Sequence, residues 1–141
     1  KKVVSGGTSA NIVARVLKKK ITTTVNHKDL TIPPMASIEG LDLVTEGVIT
    51  LGKMLSLLRR YQADEFDADF FDELDAENGA SKLAKMIIEE CTEIRLFVGT
   101  ARNIAYKNSN LPFELSARMN LVEQLQEVSK QIGKNITVKY Y

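Results

Sequence analysis

The chain has 141 residues, of which 44% are hydrophobic and 26% charged, a globular balance in one domain able to bury about two thirds of its unfolded surface. Nineteen Lys and Arg against 18 Asp and Glu leave a formal charge of +1, too little for a global field that would draw nucleic acid or an anionic membrane surface. The single Cys91 excludes an internal disulfide, and no apolar run reaches the ~18 residues of a membrane span. These features predict one soluble, cytoplasmic domain in a reducing compartment. Because the first residue is not Met and strand pattern begins at once, the 141 residues are expected to be a piece of a longer chain.

Val3-Val4-Ser5 reads as a short buried strand that runs into Gly6-Gly7-Thr8-Ser9. Ile12, Val13, Val16 and Leu17 then mark the inward face of a helix, and Lys18-Lys19-Lys20 suits the negative end of its dipole. Ile21-Thr22-Thr23-Thr24-Val25 predicts a strand with one polar face, placed at a sheet edge. From Asn26 to Glu39 there is no clear period and Pro33-Pro34 interrupts, so a loop is expected. Leu41 to Val44 predicts the next strand, ending in Thr45-Glu46-Gly47 and followed by a helix with Leu51, Met54, Leu55 and Leu58 inward.

Eight of the fourteen residues from Asp64 to Glu77 are acidic, yet Phe66, Phe70, Phe71 and Leu74 recur at helical spacing, so the segment reads as a short amphipathic helix with a solvated acidic face. Ala80, Leu83, Ala84, Ile87, Ile88 and Cys91 form the strongest helical series, leading into a strand over 94–98 that stops at Gly99. The polar, Asn-rich stretch to Pro112 reads as a binding loop. A long helix follows with Leu115, Met119, Val122, Leu125, Val128 and Ile132 inward, closed by Gly133, and the last strand covers 136–140.

Strands alternating with helices predict an α/β domain over residues 1–141 with a mainly parallel five-stranded sheet, helices on both faces, and Rossmann- or flavodoxin-like order 2-1-3-4-5. That order places the alternating second and fifth strands at the edges. It also sets strands one and three side by side with a crevice at their C-terminal ends.

Gly6, Gly7, Thr8 and Ser9 before a helix offer backbone N–H groups, two hydroxyls and the positive dipole end, which suits phosphate or carboxylate. The competing reading is a turn with Thr8 or Ser9 as a helix cap. The segment is not G-x-G-x-x-G and has no Gly-Lys-Ser/Thr, so it specifies neither a dinucleotide nor a nucleoside triphosphate. Across the crevice, Thr45, Glu46 and Gly47 complete the candidate site; Glu46 orients a ligand hydroxyl, coordinates a cation, or only complements a helix dipole. Gly99, Asn103, Asn108 and Asn110 add uncharged donors and acceptors, for a polar ligand or for their own turn.

Catalytic and metal motifs are not specified. Asp67-Ala68-Asp69 is followed by Phe70 and Phe71 rather than the oxygen ligands and Gly of a calcium loop, and His27 has no Cys or second His near it for zinc. No serine lies in a recognisable nucleophile motif. No metal, cofactor or catalytic residue is therefore assigned within the domain.

The segments Lys1 to Arg15 and Ile38 to Gly47 resemble the stage II sporulation protein E family of bacterial serine/threonine phosphatases, in the region after the catalytic domain. A third block, Phe97 to Asn103 and Asn108 to Pro112, is similar to a family stretch running Val-Gly, Asn-Pro-Ala-His-Gln-Asn-Pro, Leu-Pro. The resemblance is read over nearly the whole chain, and these blocks are the stretches that carry it. Ser5 and Ser9 stand where the family has Cys and Thr, and Ile104, Tyr106, Lys107 and Ser109 replace Pro, His, Gln and Pro, so a contact made by that His is not carried to Tyr106.

The family's chemistry lies upstream, in aspartates that hold manganese or magnesium, and those motifs are absent here. The resemblance implies a regulatory or accessory domain whose partner is an attached metal-dependent phosphatase domain. The missing motifs make the domain itself non-catalytic, and the glycine segments before the helices give a small anionic or phosphorylated ligand as its second partner. The alternatives are a small nucleotide-dependent enzyme with Glu46 as its acid or base, and a structural module that forms a homodimer through an exposed edge strand.

Overall fold

A computed structural model describes residues 1–24, 35–100 and 111–141. The elements run β1 (Val3–Ser5), α1 (Gly7–Leu17), β2 (Ile21–Thr24), β3 (Met35–Ile38), β4 (Leu43–Thr45), α2 (Val48–Gln62), α3 (Ala68–Leu74), α4 (Gly79–Lys85), β5 (Glu93–Val98), α5 (Leu111–Gln131) and β6 (Asn135–Tyr140). The last turn of α4 widens into π geometry over Met86–Glu90. His27, Asn103, Asn108 and Asn110 lie outside the described residues.

The expected five-stranded, mainly parallel sheet is corrected. Four strands form one mixed sheet in the order β1-β4-β3-β2, and β5 and β6 form a separate parallel pair. The difference originates in β3, which occupies part of the expected loop. It pairs antiparallel with β2 (Ile21↔Ile38 to Thr24↔Met35) and with β4 (Ala36↔Val44). A strand, not a crossover helix, thus follows β2 and carries it to the far side of β4 instead of beside β1. Only β1 with β4 (Val3↔Leu43 to Ser5↔Thr45) and β5 with β6 retain the expected parallel adjacency. Gly40, at φ 95°, makes the turn between β3 and β4, where the Leu41 N–H donates to the Ile38 carbonyl at 3.0 Å.

Consecutive residues of β4 point to opposite faces, and among the described residues two separate cores result. Val44 packs with Ala10 and Ala14 of α1 and with Ile38. Leu43 packs into the larger core with Met54, Leu58, Phe70, Leu83 and Leu125, contributed by α2, α3, α4 and α5. The inward face expected for α1 is therefore corrected too. The two alanines face the sheet, while Ile12, Val16 and Leu17 are exposed. An alanine Cβ lets the helix backbone lie close over short strands, where branched side chains would hold it away.

The ends are locally secured. Lys18 closes α1 in the left-handed region (φ 53°), its N–H donating to Arg15 O and that of Lys19 to Ala14 O, the bonding of a Schellman cap. Asp42 accepts the Lys2 N–H at 2.6 Å, and that bond holds its carboxyl below the ordinary carboxylate range. Lys134 Nζ donates to the carbonyls of Ile88 at 3.0 Å and Cys91 at 2.8 Å, satisfying acceptors that the π turn leaves open. Among the described residues no helix is long and apolar enough to cross a membrane.

Ser129 on α5 is wholly buried, and its hydroxyl has no partner among the described residues. Ser129→Ala removes an unsatisfied buried group and improves helix propensity, so a gain of about 1 kcal/mol is expected. Thermal unfolding measures it; a lower midpoint would show that the hydroxyl has a partner after all.

Candidate functional site

Parallel pairing of β1 with β4 sets their C-terminal ends side by side, and each strand passes directly into a helix. The helices leave toward opposite faces, since α1 packs with Val44 and α2 with Leu43. Their N-termini therefore lie together at the carboxyl ends of two neighbouring strands, where a crevice is expected and where ligands recur in α/β sheets. Gly6 donates its N–H to the Thr45 carbonyl at 2.9 Å, and a Cβ placed on Gly47 would lie 3.6 Å from Gly6 Cα. The two glycine segments expected to flank the crevice do meet.

Both helices use glycine as the N-terminal cap, Gly6 for α1 and Gly47 for α2. Gly6 stands at φ 105°, a conformation that L side chains rarely adopt. A glycine cap supplies no side-chain acceptor for the first-turn N–H groups, and neither helix has an acidic residue in its first turn. The contrast lies within the same chain. Asp67 caps α3 by accepting the Phe70 N–H at 2.7 Å, and Asn78 caps α4 by accepting the Ser81 N–H at 2.9 Å. Among the helices whose N-terminal cap is described, the two whose ends converge are thus the two with glycine caps, and their dipoles add positive potential at one place. Thr8 and Ser9 lie within the helix, so neither takes the cap position that was their alternative role.

Thr45 turns away from the crevice. It is 4% exposed, and its hydroxyl donates to the Glu46 carbonyl at 2.9 Å, as does that of Ser5 at 2.8 Å; the two oxygens are 3.2 Å apart. Ser5 and Thr45 thereby tie the strand ends together. Glu46 is exposed just before the α2 cap. Gly7 is exposed, and a Cβ there would meet nothing within 4 Å, so the space beside it is open.

Comparison with protein-family models, with curated proteins and with solved structures gives no match.

Gly99 follows β5 and belongs to the other sheet. Arg118 donates to its carbonyl at 3.0 Å, and the Thr100 N–H and hydroxyl both reach the Tyr141 carbonyl, so the hydrogen bonds of this corner run to α5 and the end of β6. Among the described residues no group of three or more His, Cys, Asp or Glu is placed to hold a metal ion.

Sequence reasoning passed over Ser5 as a tie and Gly79 as a close approach. A Cβ on Gly79 would stand 2.9 Å from Thr45 Cγ2, so the start of α4 lies directly against the strand end that carries the site. The available signal was Asn78-Gly79 at the head of the strongest helical series, a cap followed by a residue without a side chain.

Proposed function

We propose that this chain is a non-catalytic, ligand-binding accessory domain that takes a small anion, phosphate or a phosphorylated metabolite, between the N-termini of α1 and α2. The observation that carries the reading is the meeting of two glycine-capped helix ends at neighbouring parallel strands, with Gly6 Cα within 3.6 Å of a Cβ position on Gly47. First-turn N–H groups and aligned dipoles bind anions without a charged side chain. Gly7 and Ser9 line the α1 side, with Thr8 beside them, and Gly47 the α2 side. Thr45 and Ser5 hold the two strand ends in register, and Glu46 borders the crevice as a carboxylate that disfavours highly charged ligands.

The attached enzyme in this reading is a metal-dependent serine/threonine phosphatase of the stage II sporulation protein E kind, supported by the sequence blocks at 1–15, 38–47 and 97–112. The metal ions and the hydrolysis belong to that enzyme. A coding sequence adjoining this one that lacks metal-binding aspartates would remove the phosphatase half of the reading and leave the anion site standing.

Gly7→Val tests the site directly. The new side chain meets no protein atom near its Cβ, so stability is expected to stay within about 0.5 kcal/mol. The branched group projects into the space an anion would occupy. Calorimetry against inorganic phosphate and a panel of phosphorylated metabolites is expected to show binding that weakens about tenfold or more in the variant, ~1.4 kcal/mol. If no compound binds, or Gly7→Val binds as the unaltered chain does, the glycines serve only the turns.

A further inference from the structure

Among the exposed apolar patches of the described residues, two that the anion site does not use carry opposite charge. On α1, Ile12 (48% exposed) and Val16 (72% exposed) are one turn apart. Arg15 and Lys19 stand three residues beyond each of them, so the four form one diamond on the helix surface. Lys18 and Lys20 follow, both exposed. Lys19 is engaged by Glu39 at 2.7 Å, which leaves Arg15, Lys18 and Lys20 as the charges bordering the apolar pair.

The second patch is the ring pair Phe66 (48% exposed) and Phe71 (50% exposed), with centroids 6.3 Å apart. Acidic residues surround it. Arg60 gathers Glu65, Asp67, Asp69 and Glu73, while the exposed Asp64 and Asp72 stand outside that cluster. Even with Arg60 counted, the patch is strongly negative.

The patches do not face one another within a molecule. Phe70 and Leu74 anchor α3 in the core that contains Leu43, whereas Ala10 and Ala14 anchor α1 in the core that contains Val44. Those cores lie on opposite faces of β4, so the apolar-basic face and the aromatic-acidic face belong to opposite sides of the sheet.

We propose that these faces are the two halves of a head-to-tail contact between copies of this chain, the Phe66–Phe71 pair of one seated on the Ile12–Val16 face of the next. Apolar area meets apolar area at the centre, and Asp64 and Asp72 meet Arg15, Lys18 and Lys20 at the rim, the usual anatomy of an interface. Because the two halves differ, association is head-to-tail, and it builds a chain or a ring of copies rather than a pair related by a shared patch. The proposal is independent of the anion site.

Sedimentation velocity on the 141-residue chain tests it with two variants, Ile12→Gln/Val16→Gln and Phe71→Gln, whose substituted side chains are all exposed. The unaltered chain is expected to sediment faster as its concentration rises, and less so at high salt, which screens the charged rim. Each variant alone is expected to stay monomeric. An equimolar mixture of the two is expected to form a one-to-one dimer and nothing larger, since each retains the half the other lacks. That dimer also shows that both variants are folded. An unaltered chain that remains monomeric at every concentration overturns the proposal and leaves the faces to an attached domain. Association that persists in either variant alone, that salt strengthens, or that fails to return on mixing overturns it as well.

Discussion

Replacing Phe70 by alanine is expected to lower the free energy of unfolding by about 3–5 kcal/mol, the range for a large aromatic removed from a packed core. Phe70 is 1% exposed and is among the largest fully buried side chains described. Its ring meets those of Phe66 at 5.9 Å and Phe71 at 5.3 Å, and the Arg60 guanidinium lies 5.4 Å from its centroid. The same residue is tied through its backbone, since Asp67 accepts the Phe70 N–H while bonding Arg60 at 2.9 Å. Loss of the ring therefore opens a cavity and removes the surface on which Arg60 rests amid four carboxylates. Chemical denaturation measures the loss, with Phe71→Ala as the control on an exposed neighbour. Equal losses for the two substitutions would mean that Phe70 does not anchor α3 to the core.

The acidic segment illustrates what local pattern conveys. Helical spacing identified α3 and both of its buried residues, Phe70 and Leu74, but it also grouped the exposed Phe66 and Phe71 with them. Spacing defines a stripe, and only the partner helices decide how wide a stripe is covered. In α1 the same limit had a larger effect. Hydrophobicity favoured Ile12, Val13, Val16 and Leu17, whereas the distance between helix and sheet favoured the smaller Ala10 and Ala14. That distance is a tertiary quantity with no signature in the period.

Sheet order was less legible than the elements for a related reason. Met35–Ile38 is four residues long, follows Pro33-Pro34, and lacks a run long enough to display alternation. Missing it converts an antiparallel return into a supposed parallel crossover and moves β2 from one side of the sheet to the other. The adjacency of β1 and β4 did not depend on β3, and so the meeting of Gly6 with Gly47 was legible from the strand, glycine, helix pattern that occurs at residues 3–17 and again at 43–62. The approach of α4 to Thr45 was not, because it depends on how a helix some thirty residues later packs across the strand end.

That approach sets the second large expected effect, for Gly79→Ala. The new Cβ would stand 2.9 Å from Thr45 Cγ2, 3.3 Å from Thr45 Cβ and 3.5 Å from Thr50 Cγ2, and the first distance requires something to move. Thr45 and Thr50 are both buried, so neither has solvent into which to retreat. Overpacking of this kind costs about 1–3 kcal/mol. Thr45→Ser supplies the decisive control, because it deletes Cγ2 while keeping the hydroxyl that donates to the Glu46 carbonyl. The double variant Gly79→Ala/Thr45→Ser is expected to recover most of the loss, a coupling on the order of 1 kcal/mol or more in a double-mutant cycle. Additive losses would place the strain elsewhere. Because Thr45 also accepts the Gly6 N–H through its carbonyl, pressure on it is transmitted to the cap of α1. Phosphate binding is therefore expected to weaken in Gly79→Ala and return in the double variant, following stability through the cycle although Gly79 itself lies outside the crevice.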